Sequence, residues 1–216
     1  MSIKILLADD HVILRHGLSQ ALQEEPDFEV VGQADNGYTA LKLAGKLSPA
    51  VVVMDIGMPE LNGIEATRLI RRDCPAVKII GLSMHSNDKY VREMFGAGAS
   101  GYLLKNCPFE ELIKAIRIVM DGKTYISPSI GDLIVQDFVG KPDDSKSAFS
   151  ILSQREREVL QHLAEGKTTK QAALCLHISP KTVEAHRLNI MGKLGIDNIT
   201  QLTKYAIQEG LTPSEP

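Results

Sequence analysis

The run Ile3-Lys4-Ile5-Leu6-Leu7-Ala8-Asp9-Asp10 reads as a short apolar strand that closes on two adjacent carboxylates. Three further runs repeat the theme. They are Val30-Val31-Gly32, then Val51-Val52-Val53-Met54 leading into Asp55, then Val77-Lys78-Ile79-Ile80-Gly81-Leu82 leading into Ser83. A fifth run, Gly101-Tyr102-Leu103-Leu104, leads into Lys105. Between them apolar residues recur at helical spacing near 13–24, 38–46, 62–72, 87–96 and 109–120. Apolar strands alternating with helices of this length predict βα units. The expected fold is therefore α/β, a doubly wound five-stranded parallel sheet covered on both faces, over residues 1–120. Function in such sheets gathers beyond the carboxyl ends of the strands. Asp9, Asp10, Asp55, Ser83 and Lys105 all fall there.

The rhythm is lost over 121–148. Ile130 to Phe138 is a candidate short helix, and Gly140-Lys141-Pro142-Asp143-Asp144-Ser145-Lys146-Ser147 is a linker by composition. From 149 to 216 the apolar spacing is helical throughout, which predicts a small all-α domain. Ser153-x-x-Glu156 has capping-box spacing and opens one helix that Gly166 ends. A second helix is expected at about 168–176. After the turn His177-Ile178-Ser179, Pro180 suits the first position of a third, which runs to about Leu194. A fourth covers about 198–208 and stops at Gly210.

At 216 residues and 44% hydrophobic, the chain can bury one large core or two modest ones. A net charge of −3 argues against a uniformly basic nucleic-acid binder. The charge is unevenly spread, however. Residues 166–193 carry Lys167, Lys170, Lys181, Arg187 and Lys193 against a single acid, Glu184, a local positive field sufficient for docking in a groove. Cys74, Cys107 and Cys175 are widely spaced and lack a CxxC pair, so a reducing compartment and no disulfide or zinc site are expected. No apolar window is long enough to span a membrane. The N-terminus enters a strand pattern directly, without a charged leader. The expectation is a cytoplasmic protein with no membrane partner.

Asp9 and Asp10 end the first strand and Asp55 ends the third. If those strands are neighbours, three carboxylates meet at one edge. Like charges at close range destabilise one another unless a cation sits among them. Oxygen-only ligation suits Mg²⁺. Lys105 can place an ammonium against a phosphoryl oxygen as charge develops, and Ser83 offers a hydroxyl at the same edge. His16 falls within the first helical pattern and reads as a surface or packing residue. His11 adjoins the acidic pocket and receives no role.

On these residues the segment 1–120 resembles the receiver domain of two-component response regulators, a flavodoxin-like fold. The matching features are Asp9-Asp10, Met54-Asp55-Ile56-Gly57-Met58-Pro59 with Gly63, Ser83, and Tyr102-x-x-Lys105. The resemblance implies that Asp55 is phosphorylated, and that Asp10, Asp55 and the backbone carbonyl of Gly57 bind Mg²⁺ with help from Asp9. It also implies that Ser83 and Tyr102 act as a switch pair, the hydroxyl moving toward the phosphoryl group while the ring turns inward. The family most often places Pro after the Lys. Here the residue is Asn106, so the cis bond usual at that junction is not expected.

Leu152-Ser153-x-Arg155-Glu156-Arg157-Glu158-Val159-Leu160 and Ser179-x-Lys181-Thr182-Val183-Glu184-x-His186-Arg187-x-Asn189-Ile190-Met191-x-Lys193-Leu194 resemble the LuxR-type helix-turn-helix domain. The order of the two domains resembles that of the NarL/FixJ class of transcription factors. Along the third helix, Val183, Ile190 and Leu194 fall on one stripe with Arg187 at its margin, and are expected to pack inward. Lys181, Glu184, Ala185 and Leu188 fall on the side available to a major groove. Phosphate contacts are expected from Lys181, Thr182, Arg187 and Lys193. Glu184 is a candidate acceptor for a cytosine amino group, and Ala185 and Leu188 for contact with thymine methyls. By resemblance, Gln201, Leu202, Tyr205 and Ala206 are candidates for a dimer seam. One departure lies in the scaffold helix. Family members commonly carry an acidic residue and Ile before the Ala, whereas this chain has Lys170-Gln171-Ala172-Ala173.

These readings predict a sequence-specific transcriptional regulator controlled by aspartyl phosphorylation, not an enzyme in its primary role. Its expected partners are a sensor histidine kinase, double-stranded DNA and a second copy of itself. The alternative is a phosphorylation-dependent protein-interaction adaptor that does not read DNA. A phosphatase on the same kind of sheet would want an acid two residues after the nucleophile, and position 57 is Gly.

Overall fold

The computed structural model describes residues 2–84, 88–131 and 148–212, which divide into two compact units. The first contains six parallel strands in the order β2-β1-β3-β4-β5-β6. These are β1 Ile3–Ala8, β2 Phe28–Ala34, β3 Val51–Asp55, β4 Lys78–Ser83, β5 Gly101–Leu104 and β6 Tyr125–Ile126. The intervening helices are α1 Val12–Gln23, α2 Gly37–Leu47, α3 Gly63–Asp73, α4 Asp88–Gly96 and α5 Phe109–Met120. The sheet thus has one strand more than the five expected. β6 holds only two residues, and its pairing with β5 is carried by Tyr125 N–H to Ser100 O at 3.1 Å and Ser127 N–H to Tyr102 O at 3.0 Å.

The inner strands read as nearly unbroken apolar runs because both faces of the sheet are buried there, whereas the edge strand β2 keeps Glu29 and Gln33 exposed. Ile5, Leu7, Val51, Val53, Ile80, Leu82 and Leu103 form one core with Leu22 of α1 and Leu112, Ala115, Ile116 and Val119 of α5. Leu6, Val52, Met54 and Ile79, alternating with them along the strands, are fully buried as well. Asn36 and Asn62 cap α2 and α3 by accepting from the backbone N–H of Thr39 and Glu65 at 2.8 and 3.0 Å. β1 sits between β2 and β3, with Ala8 opposite Met54. The chain reverses its winding direction there, which sets the loops after β1 and β3 side by side.

The second unit is all helical: α6 Ala148–Ile151, α7 Gln154–Ala164, α8 Thr169–Cys175, α9 Pro180–Leu194 and α10 Ile199–Gln208. Its core collects Leu152, Val159, Leu160, Leu163, Ala172, Ala173, Leu176, Val183, Ile190, Leu202 and Ala206. Ser153 and Glu156 form the capping box that opens α7. A second box opens α8, in which Thr168 N–H donates to Gln171 Oε1 at 2.9 Å and Gln171 N–H donates to Thr168 Oγ1 at 3.3 Å. Gln171 therefore does the same capping work as an acid at that position, which accounts for its place in the run 170–173. The short α6 was not legible in the sequence. The Gly140–Ser147 stretch, and the candidate helix beyond Gly131, lie outside the described residues. All described peptide bonds are trans, the one following Lys105 included, and the three cysteines are free. No helix among the described residues is long and apolar enough to cross a membrane.

Candidate functional site

Asp55 is the last residue of β3, and Asp9 and Asp10 follow directly on β1. Strand adjacency brings them together. Candidate ligand atoms on Asp9, Asp10, His11 and Asp55 all lie within 4.8 Å of one another. Lys105 reaches in from the end of β5, its backbone N–H donating to Ser83 O at 2.8 Å. Its Nζ stands 2.8 Å from Asp9 Oδ2 and 2.8 Å from Asp55 Oδ2, and all three side chains are buried. Two carboxylates, Asp9 and Asp55, thus share one lysine ammonium, with Asp10 beside them. Asp55 Oδ1 accepts the backbone N–H of Gly57 at 3.1 Å.

This arrangement shapes the chemistry of Asp55. Burial raises its pKa to about 6, and the negative charge of Asp9 works in the same direction, while the Lys105 ammonium and the Gly57 N–H pull it back. Burial tends to lower the Lys105 pKa, but Asp55 and Asp9 outweigh that effect and hold it above the usual lysine value. Near neutrality Asp55 is an ionised, poorly solvated and therefore reactive carboxylate. The pocket retains more negative charge than Lys105 can balance, and Asp10 Oδ1 has no hydrogen-bond partner. Excess charge, oxygen donors and an unsatisfied carboxylate oxygen together fit a hard divalent cation.

Gly63 explains part of the motif around Asp55. A Cβ on this glycine would lie 2.0 Å from the Asp55 carbonyl oxygen and 2.9 Å from the Ile56 Cα. The first turn of α3 packs directly against the backbone that carries the acid, with Gly63 N–H donating to Ile56 O at 2.9 Å. Only a residue without a side chain allows that approach.

Ser83 and Tyr102 lie on neighbouring strands, β4 and β5, and both side chains are buried, Tyr102 completely. The ring therefore lies inward. Burial pushes the Tyr102 hydroxyl up to about 12, and its hydrogen bond with Ser83 pulls the other way.

Two further residues line the pocket, Arg15, which the sequence does not single out, and His11, which it places beside the acids without a role. The Arg15 guanidinium donates to the Asp9 carbonyl, bracing the loop after β1. A helical pattern shows Arg15 only as a polar surface position. The His11 N–H donates to Asp9 Oδ1 at 2.8 Å, and its Nδ1 lies 2.9 Å from Asp10 Oδ1 and 3.4 Å from Lys105 Nζ. The only signal in the sequence was its position next to Asp10.

In the second unit Ser179 caps α9, accepting the Thr182 N–H at 3.1 Å, and Pro180 takes the first helical position. Val183 and Ile190 are fully buried. Lys181, Thr182, Ala185, Leu188, Asn189 and Lys193 are exposed, Leu188 at 61%. Glu184 is ion-paired with Arg187 three residues on. Lys193 Nζ donates to Glu156 Oε2 at 2.7 Å, tying α9 to the capping box of α7. Neither Glu184 nor Lys193 is thus freely presented in this conformation. Asn189, whose amide can pair with adenine, also lies on the exposed face.

Of the residues expected at a dimer seam on α10, Leu202 and Ala206 have no exposure and fill the helical unit's own core. Of the four residues, Gln201 is exposed and Tyr205 is half-buried.

Comparison with known proteins follows the same division. The model for the response regulator receiver domain matches residues 5–117, and the model for bacterial regulatory proteins of the luxR family matches residues 150–206. The oxygen regulatory protein NreC of Staphylococcus carnosus is 39% identical over 214 residues, covering 97% of this chain and 99% of that protein. The transcriptional regulatory protein DegU of Brevibacillus brevis is 36% identical over 222 residues, covering 96% and 94%. Among solved structures, the response regulator ChrA of a heme-sensing two-component system is 34% identical with a TM-score of 0.54, over 97% of this chain and 98% of that one. The two-component response regulator RcsB, solved in complex with DNA, is 27% identical with a TM-score of 0.61, over 97% and 99%.

Proposed function

Because the chain belongs to the response regulators that join a receiver domain to a LuxR-type helix-turn-helix domain, we propose that Asp55 is its phosphoryl acceptor and that α9 is its DNA-reading element. It is a phosphorylation-controlled DNA-binding transcriptional regulator, not an enzyme in its own right. The observation that carries the proposal is the placement of Asp55. It is buried, lies within 2.8 Å of the Lys105 ammonium, and is carried by the same chain as a capped helix with an exposed polar and apolar face.

In the proposed reaction an Asp55 carboxylate oxygen attacks the donor's phosphorus. The new O–P bond forms as the donor's bond to phosphorus breaks, and the electron pair leaves with the donor. The donor is the phosphohistidine of a sensor kinase. Lys105 already faces Asp55 and is placed to pair with a phosphoryl oxygen. Ser83 supplies a hydroxyl at the same edge, and Tyr102 occupies the inward position that accompanies its engagement. Asp9, Asp10 and Asp55, with the Gly57 carbonyl by resemblance, would hold Mg²⁺, which would offset negative charge on the transferring group.

The added phosphoryl group carries roughly 1.5 to 2 negative charges. That local change must bias a two-state element, here the Ser83–Tyr102 region and α4, to alter assembly of the chain. Two helix-turn-helix modules reading half-sites about one helical turn apart gain affinity by linkage. Homodimer formation is the proposed output, with Gln201 and Tyr205 as the remaining candidates on α10. Lys181, Thr182, Arg187 and Lys193 would hold phosphates, while Glu184, Ala185 and Leu188 would meet base edges. Lys193 and Glu184 would have to exchange their partners on docking. The proposed location is the cytoplasm, and the proposed domains are 1–120 and 149–216 with a linker at 121–148. Footprinting on genomic fragments tests the reading. Protected sites that strengthen after phosphorylation support it, whereas no protection at any site would favour the adaptor reading.

A further inference from the structure

Each polar atom of Asp9 has a fixed partner. Its backbone N–H donates to Ala34 O at 3.1 Å, its Oδ1 accepts the His11 N–H at 2.8 Å, and its Oδ2 lies 2.8 Å from Lys105 Nζ. The carbonyl oxygen is taken by the guanidinium of Arg15, which reaches back from the start of α1. That guanidinium is itself braced. Its Nε donates to Gln33 Oε1 on β2 at 3.3 Å, and Gln33 Nε2 donates to Ser19 Oγ, one helical turn further along α1, at 3.1 Å. The Asp10 carboxylate is held less firmly. Its Oδ1 meets the His11 imidazole at 2.9 Å without forming a hydrogen bond, so its direction is left to the backbone that carries it. A peptide unit is planar and rigid, so whatever fixes the Asp9 carbonyl also fixes the amide and Cα of Asp10.

We infer that Arg15 is a positioning residue for the phosphoryl pocket: by holding the Asp9–Asp10 peptide it aims the Asp10 carboxylate at the cation, without itself touching cation or phosphoryl group. The inference rests on the reading of the pocket proposed above. It goes beyond that reading by giving a function to a side chain outside the acidic cluster. Asp9 is buried, so without Arg15 its carbonyl oxygen would be left unpaired. Turning the peptide to find another partner would relieve that cost and would swing Asp10 with it. The charge of Arg15 predicts the opposite effect. A guanidinium acting only through its field would repel a cation, and its removal would tighten cation binding. Loss of a positioning contact weakens it. The two roles therefore differ in sign.

The test titrates the full chain calorimetrically with Mg²⁺, without phosphodonor. Arg15→Met, which keeps an unbranched side chain but donates nothing, should lower Mg²⁺ affinity by roughly 10-fold, the scale of loss when a group supporting a metal ligand is removed. Arg15→Lys still carries a donor for the carbonyl and should recover most of that affinity. Gln33→Leu releases the far side of the guanidinium and should give a smaller loss in the same direction. It also carries the test if urea unfolding shows that Arg15→Met does not fold. With a small phosphodonor, the Mg²⁺ concentration for half-maximal phosphoryl uptake should rise in Arg15→Met. The rate at saturating Mg²⁺ should stay close to that of the wild type, since Asp10 is then drawn into place. A merely structural residue would lower the saturating rate and leave half-saturation where it was, and that result overturns the inference. So do an unchanged or tighter Mg²⁺ affinity in Arg15→Met, or equal losses in Arg15→Met and Arg15→Lys. Asp10→Asn separates the two levels. If it weakens Mg²⁺ binding while Arg15→Met does not, only the Arg15 assignment fails. If Asp10→Asn leaves the affinity unchanged, the reading of the pocket as a metal site fails with it.

Discussion

The Nζ of Lys105 lies 2.8 Å from the Oδ2 of Asp55, with both side chains buried. Neither group can be removed without stranding the other in a poorly solvated pocket. Breaking a buried pair from one side typically costs about 3–5 kcal/mol. Lys105→Met should therefore lower unfolding stability by that order at neutral pH. The same substitution in an Asp55→Asn background should cost less, because one stranded charge has gone. Urea unfolding of the four proteins gives the coupling, and equal losses in both backgrounds would show that the pair is not coupled.

Asp55 should titrate high. Its pKa is raised to about 6 in the folded, metal-free chain, against 3.8 for an unperturbed aspartate. The folded state then binds more protons than the unfolded state between those values. Its contribution to stability is present at low pH and is lost as pH rises from about 4 through about 6. Carbon NMR of the Asp55 carboxyl should give a midpoint near 6 without metal. The difference in stability between the wild type and Asp55→Asn should move against the wild type across the same window. A midpoint near 4 would show that the pocket is better solvated than its burial implies.

Gly63 should tolerate no side chain. A Cβ there would meet the Asp55 carbonyl oxygen at 2.0 Å, a backbone atom that cannot swing aside. Gly63→Ala should destabilise the receiver unit by at least about 1–3 kcal/mol, the usual cost of overpacking, and should slow phosphoryl uptake by displacing Asp55. Gly57→Ala is the control, since a Cβ at Gly57 meets nothing within 4 Å. Equal stability of the two variants would contradict this packing argument.

On α9, Lys181→Ala should weaken binding to all DNA sequences and flatten the salt dependence by roughly one unit. Glu184→Ala should instead relax preference at one base position, by about 1–3 kcal/mol on the preferred sequence only. The Arg187 ion pair is half-exposed and weak enough to exchange on docking. Uniform tightening on every sequence would mean that Glu184 only restrains Arg187 and repels phosphates.

Much of this was legible in the sequence, for identifiable reasons. The inner strands are legible because both faces of the sheet are buried there, which leaves nearly continuous apolar runs, while the edge strand β2 shows only in its Val30-Val31 centre. Tyr125–Ile126 could not be read, since two residues have no periodicity and only backbone pairing with β5 makes them a strand. The four residues of α6 were too few for the same reason. Asp9, Asp10, Asp55 and Lys105 were legible as strand-end residues. That one ammonium bridges Asp9 and Asp55 depends on which strands are neighbours, which spacing along the chain does not encode. On α10, Leu202 and Ala206 matched a family position for assembly but lie on the helix face turned to the core. A single short helix has one apolar stripe, and the sequence does not say whether that stripe meets its own domain or a partner.

The most direct measurement is the affinity of the full chain for a DNA site selected from a random pool, before and after treatment with a small phosphodonor in Mg²⁺. Fluorescence anisotropy on the wild type and on Asp55→Asn should show affinity rising on treatment for the wild type alone. Asp55→Asn should take up no acid-labile phosphate and should keep its untreated affinity. An equal gain in both proteins, or phosphate uptake by Asp55→Asn at the wild-type rate, would contradict the control of DNA binding through Asp55.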